Sequence, residues 1–165
     1  GVGNPLHLTM EMLKHQTGID ILSVPFRGDL QINAALMSGD VQVAVVPMGT
    51  SVPHIKDGRL RAIGVTGAER NAALPDVPTI MEQGVPGFVV SGWQGWFVPG
   101  GTPAPIVDRI HREVAKMLAQ PGLQDRIKAF GNEVIGSTPA EFAAYYKAEI
   151  AKYTKVIADA KISRQ

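Results

Sequence analysis

Apolar residues recur along the first part of the chain in two alternating rhythms, one helical and one extended. Leu6, Met10 and Leu13 repeat at i, i+4 and i+7. Asn4-Pro5 before them suits a helix start, because Asn caps free amides and Pro fits the first turn. Thr17-Gly18 closes that helix. Ile21 to Phe26 reads as a short strand. Asp29 then caps a helix carrying Leu30, Ile32 and Leu36, which ends at Ser38-Gly39. Val41 to Val46 is apolar enough to predict a strand buried on both faces. Thr50 or Ser51 caps a short helix with Pro53 and Ile55, closed by Gly58, and Leu60 to Val65 forms a third strand. Strand, short loop and helix in repetition predict a parallel sheet with crossover helices, an α/β architecture. The first loop runs straight into a helix with no strand before it, so the pattern predicts an incomplete domain.

The rhythm changes after Gly67. Leu74 to Thr79 is a rigid loop holding Pro75 and Pro78, and a short helix over Ile80 to Gln83 stops at Gly84. Phe88 to Val98 reads as a long strand interrupted by Gly92 and Gly95, a sign of a bend or a close backbone approach. It is expected to cross between two lobes. The last third is helical. Thr102-Pro103 opens a helix with Ile106, Val107, Ile110, Val114 and Met117 on one side, and Pro121 opens another with Leu123 and Ile127. Val134-Ile135 forms a short strand. Thr138-Pro139-Ala140-Glu141 spells a capping box, in which hydroxyl and carboxylate each satisfy one free amide. Phe142, Tyr146, Ile150, Tyr153 and Ile157 form the apolar stripe of the helix that follows.

Composition narrows the function classes. The 165 residues carry 16 basic and 15 acidic side chains and a net charge of +1. Neither end has the basic excess of a nucleic-acid binder. Cysteine is absent, which excludes disulfides, thiolate metal sites and cysteine nucleophiles. No run approaches the ~18 apolar residues of a membrane helix, and the chain opens on Gly-Val-Gly without the charged and apolar regions of a signal peptide.

Candidate chemistry gathers where strand-to-helix loops meet one edge of the expected sheet, the place where open α/β folds bind ligands. Gly1 to Pro5 at a helix start offers outward amides to an anion. It is not a dinucleotide fingerprint, because Leu6 replaces the third glycine. Gly28-Asp29 and Gly49-Thr50-Ser51 follow the next two strands. Asp29 can cap its helix or accept from a ligand ammonium or hydroxyl. His7 and His15 lie two turns apart and lack metal spacing, so His7 is expected to pack or cap locally. Trp93 and Trp96 point to opposite faces of a strand, one for the core and one for a cleft, in either assignment. No nucleophile–base constellation, phosphate loop or metal cluster is present. The residues alone support an α/β domain for a small, plausibly anionic molecule, with no catalysis and no cofactor.

Eight short motifs run in order: Gly3-Asn4-Pro5-Leu6-His7-Leu8, Val24-Pro25-Phe26-Arg27-Gly28, Gly39-Asp40-Val41-Gln42, Pro53-His54-Ile55-Lys56, Gly58 to Ile63, Leu74 to Thr79, Gly84 to Gly87, and Gly101 to Pro105. In this the chain resembles the Bug family of substrate-binding proteins, the tripartite tricarboxylate transporter receptors (TctC-like). The resemblance implies a type II periplasmic-binding-protein fold, three-layer αβα. It implies that only the second lobe (1–92), a crossover strand or hinge (93–101) and C-terminal helices returning to the first lobe (102–165) are in this chain. The N-terminal half, with its signal peptide, would lie outside it.

The function implied is periplasmic capture of a small carboxylate and its delivery to the membrane permease subunits of the transporter. The alternative is the ligand-sensing effector domain of a transcriptional regulator or signalling protein, which shares the lobe architecture. Carried over by position, the ligand residues are Gly3 and Asn4, Gly28 and Asp29, and Thr50; from the tryptophan pair, Trp93 joins them as a candidate beside the cleft. Asn4 stands where the family commonly has Ser, and Val46-Pro47 where it commonly has Asp-Asn. Asn4 can still donate through its amide, whereas Val46-Pro47 points to a different ligand. A half-receptor would also expose its Phe142/Tyr146/Ile150/Tyr153 stripe, which suggests a homodimer.

Overall fold

The computed structural model describes residues 3–159. Gly1, Val2 and the part of the opening loop they form lie outside these. Among the described residues six helices follow in chain order: α1 Pro5–Thr17, α2 Asp29–Ser38, α3 Met48–Lys56, α4 Ala104–Leu118, α5 Pro121–Ala129 and α6 Pro139–Asp159. Their starts follow the sequence signals. The Asn4 side chain accepts from the His7 amide and Pro5 fills the first turn of α1, while Gly18 ends it in the left-handed conformation at φ 72°. At α6 the capping box forms as expected: Thr138 N–H donates to Glu141 Oε2 at 2.8 Å, and Glu141 N–H donates to Thr138 Oγ1 at 3.3 Å.

Two helices differ from expectation by small offsets with physical causes. The α1 side that faces the core carries Leu8, Thr9 and Met12, while Leu6 and Met10 are only half-buried. Pro47 is the N-cap of α3, so Thr50 and Ser51 sit inside its first turn and their hydroxyls donate back to the Pro47 carbonyl, at 3.2 and 2.9 Å. The expected helix at 80–83 is a single turn, because Gly84 at φ 97° ends it at once.

The expected strands run extended without forming a ladder. Among the described residues the only paired β-positions are an isolated parallel bridge, Val65 with Thr79. A parallel strand needs neighbours to take its amides and carbonyls. Among the described residues, segments 21–26, 41–46, 88–98 and 134–135 form no ladder, and the Val90–Thr66 tie does not extend into one. The prediction that 41–46 is covered on both faces fails for the same reason: none of its residues is buried, and Val43 is 37% exposed.

The core lies instead between residues 65 and 90. Val65 N–H donates to Pro78 O and Ile80 N–H to Val65 O, both at 2.9 Å, while Val90 N–H reaches Thr66 O at 2.8 Å. Met12, Phe88 and Val90 form the buried cluster, with Leu13, Ile80, Met81, Val85 and Val156 packed against it. α1 and α6 therefore meet over this segment. A second capping pair, Thr79 with Glu82, locks the turn: Thr79 N–H donates to Glu82 Oε2 at 2.6 Å and Glu82 N–H to Thr79 Oγ1 at 3.0 Å.

Candidate functional site

The N-termini of α2 and α3 open onto one depression of about 440 Å³, lined by Arg27, Gly28, Asp29, Leu30, Gln31 and Thr50. Loops that are twenty residues apart in sequence thus bring Gly28, Asp29 and Thr50 together. Gly28 is the N-cap of α2, in extended backbone, and no side chain caps the helix. Asp29 therefore does not act as the cap. It occupies the first helical position. It is half-buried and takes no hydrogen bond or ion pair among the described residues. A carboxylate beside a helix N-terminus is favoured by the helix dipole, and its acceptor capacity remains available.

One residue that the sequence reading missed holds the two helices together. Asn33, in α2, is 1% exposed, and its Nδ2 donates to the Thr50 carbonyl at 3.2 Å. Its Oδ1 is buried without a partner. A lone Asn amid Ile32, Ala34, Ala35 and Leu36 is the available signal, since an amide in an apolar run is expected to have a buried task.

The remaining predicted site residues lie elsewhere. Asn4 spends its side-chain oxygen on the His7 amide at 2.9 Å, and Gly3 N–H donates to His7 Nδ1 at 3.2 Å. His7 thus caps locally, as expected, and the Gly3 amide is occupied rather than free. Neither Gly3 nor Asn4 lines the α2–α3 depression. Nor does Trp93. Its indole N–H donates to Glu149 Oε2 at 3.3 Å, and its ring meets Phe142, Tyr145 and Tyr146 of α6 edge-on, with centroids 5.6 to 6.0 Å apart. Trp93 is thus the packing member of the tryptophan pair, and Trp96 is the exposed one.

Several surface charges are paired, among them Lys14 with Glu11, Arg70 with Glu82 and Lys116 with Glu113. Glu11 is pushed up by burial, yet hydrogen bonds from Lys14 and Ser23 outweigh this and hold it below the ordinary carboxylate range. Burial and the nearby Glu149 carboxylate raise the Tyr145 and Tyr153 phenols. Among the described residues no three His, Cys, Asp or Glu gather as a metal site, and no helix is long and apolar enough to cross a membrane. The arrangement is suited to non-covalent binding of a small polar molecule.

Residues 1–162 match the family described as the tripartite tricarboxylate transporter family receptor. A UPF0065 protein from the tcbD–tcbE intergenic region of Pseudomonas sp. (strain P51) is 34% identical over 99% of this chain and 49% of its own length. A UPF0065 protein from the clcB–clcD intergenic region of Pseudomonas knackmussii is 30% identical over 95% of this chain and 94% of its own length. Apart from that short relative, the chain spans about half the length of the curated relatives it matches along nearly all of its own length. Among solved structures, R. palustris Rpa4515 with adipate superposes at a TM-score of 0.91 with 33% identity, over 98% of this chain and 54% of that one. The periplasmic binding protein BugD gives 0.91 and 30%, over 100% of this chain and 56% of that one. MatC from Rhodopseudomonas palustris with bound malate gives 0.82 and 31%, over 92% and 53%. The backbone therefore follows the periplasmic-binding-protein fold of these chains over about half their length, even where its extended segments lack ladder partners.

Proposed function

The chain belongs to the tripartite tricarboxylate transporter receptor family, and from that membership we propose that it captures a small carboxylate in the periplasm for delivery to the transporter's membrane subunits. The family is one of receptors rather than enzymes. We assign residues 1–92 to the second ligand-binding lobe, 93–101 to the crossover and 102–165 to helices that return to the first lobe.

The observation that carries the ligand class is the pairing of adipate-bound and malate-bound relatives with a depression that gathers Gly28, Asp29 and Thr50. The N-terminus of α2 presents neutral donors to an anion, which avoids burying a countercharge, and the Thr50 hydroxyl can turn from the Pro47 carbonyl to join them. Asp29 repels a second carboxylate and welcomes a donor group. A hydroxy- or amino-bearing acid fits it better than a plain dicarboxylate.

Calorimetric titration of the chain with malate, aspartate and adipate tests this reading. Binding of malate or aspartate is expected to exceed that of adipate. Asp29→Asn should narrow the gap, and Thr50→Val should weaken all three by about tenfold, the loss of one hydrogen bond to a charged group. Absence of binding to all three acids would overturn the reading.

A further inference from the structure

We infer that Asn33 is a positioning residue for the candidate ligand site, one that fixes Thr50 against the N-terminus of α2 at a cost in stability. This rests on the reading of the α2–α3 depression as the carboxylate site. Asn33 follows Asp29 by four residues, one turn further along the same face of α2. It does not itself line the depression, so it reaches a ligand only through other groups. Thr50 does line it, and the Asn33 Nδ2 donates to the Thr50 carbonyl at 3.2 Å, across from α2 to α3.

Stability alone does not explain an amide at this position. Asn33 is 1% exposed, and its Oδ1 is buried with no hydrogen-bond partner. An unmet buried acceptor costs more than an average hydrogen bond returns, and the one bond that Nδ2 makes is at the long end of the normal range. Nor does the Thr50 carbonyl depend on this donor. It lies inside α3, four residues before the His54 amide, where the helix ladder supplies a partner. Leucine branches at Cγ as asparagine does and carries no polar atom. Among Ile32, Ala34, Ala35 and Leu36 it would fill the same space without an orphaned oxygen.

What the amide supplies, and leucine cannot, is direction. Its donor sets the first turn of α3 relative to α2, and so sets the Thr50 hydroxyl relative to the free amides of α2. A site assembled from two helices grips an anion only when its donors are held at a matching separation.

Calorimetric titration with malate, paired with thermal melting, tests this on the parent chain and its variants. Asn33→Leu is expected to melt at or above the parent temperature and yet to bind malate about fivefold more weakly, the scale on which coupled neighbours act on one another. In a Thr50→Val background the same substitution should cost less than about twofold, because the group it positions is gone. Asn33→Ala removes the amide without added bulk and should show the same loss of affinity, whatever it does to melting. Val52→Ala is the converse. Val52 is buried in α3 at 3% exposure, so its truncation should lower the melting temperature while malate affinity stays within about twofold of the parent. Parent affinity retained in Asn33→Leu, full additivity with Thr50→Val, or affinity falling in step with melting in every variant would overturn the inference and leave the receptor reading standing. A parent chain that binds none of malate, aspartate and adipate would overturn the receptor reading, and this inference with it.

Discussion

Residues 65–90 and residues 92–159 use their apolar side chains in opposite ways. The first stretch is nearly all loop, yet it buries Val65, Leu74, Thr79, Phe88 and Val90. The second holds three of the six helices, and its only buried residue is Glu149. Regular backbone and burial are therefore separate achievements. In the loop stretch, prolines and side-chain-to-backbone bonds such as Thr79–Glu82 and Thr66–Val90 satisfy polar groups locally, which frees the chain to fold inward. In the helical stretch the backbone groups inside each helix are satisfied by the helix itself, and the apolar stripes are left largely exposed.

The sharpest way to break this contrast is to remove matched apolar groups from each side. Phe88→Ala should cost about 3–5 kcal/mol in urea unfolding, because the ring is 1% exposed. Ile106→Ala on α4 should change stability by less than about 0.5 kcal/mol, since that side chain lies half in solvent. Equal costs would mean that α4 is covered. The next largest effect is expected at a point where the helical stretch packs closely. A Cβ on Gly95 would run into the Phe142 ring. Gly95→Val should therefore cost about 1–3 kcal/mol and reduce the near-UV dichroism of the aromatic cluster.

The smallest effect concerns acid. Glu82 lies below its ordinary pKa, first because Arg70 donates to both carboxylate oxygens and then because of the Thr79 amide. A carboxyl depressed in the folded state stabilises it fully above the unfolded value of about 4.3 and loses that contribution as pH falls through the lower folded value. Glu82→Gln should therefore lower the urea midpoint near neutrality, and the difference from the parent chain should shrink as pH falls below the unfolded value of about 4.3. A difference that does not depend on pH would assign the role of Glu82 to shape rather than charge.

Local signals in the sequence were read correctly where their physics is local. The start of α1 at Asn4-Pro5, its end at Gly18 and the Thr138–Glu141 box all depend on residues within one turn. Thr79–Glu82 has the same spacing and was available to the same reading. Asp29 shows how fine the margin is: a start one residue earlier makes Gly28 the cap and frees the carboxylate. What could not be read is non-local. Strand pairing depends on neighbours far along the chain, and the close approach signalled by Gly95 did not name Phe142 as its cause. At the candidate site, the loop positions of Gly28, Asp29 and Thr50 were legible. The Asn33 bond that ties their helices was not, because nothing in the spacing tells which carbonyl a buried amide will find.

The Trp93–Glu149 bond has a consequence for how α6 is seated. Glu149 is held by the indole N–H at 3.3 Å and by Lys152 at 3.4 Å, among aromatic rings. Apolar contacts alone would tolerate a helix rotated or slid by one position, because Phe142, Tyr145 and Tyr146 offer interchangeable surfaces. A carboxylate does not tolerate it: any slip would strand a buried charge away from the indole N–H that holds it. The polar pair acts as a key in a keyway, fixing the rotational phase of a long helix that little else constrains.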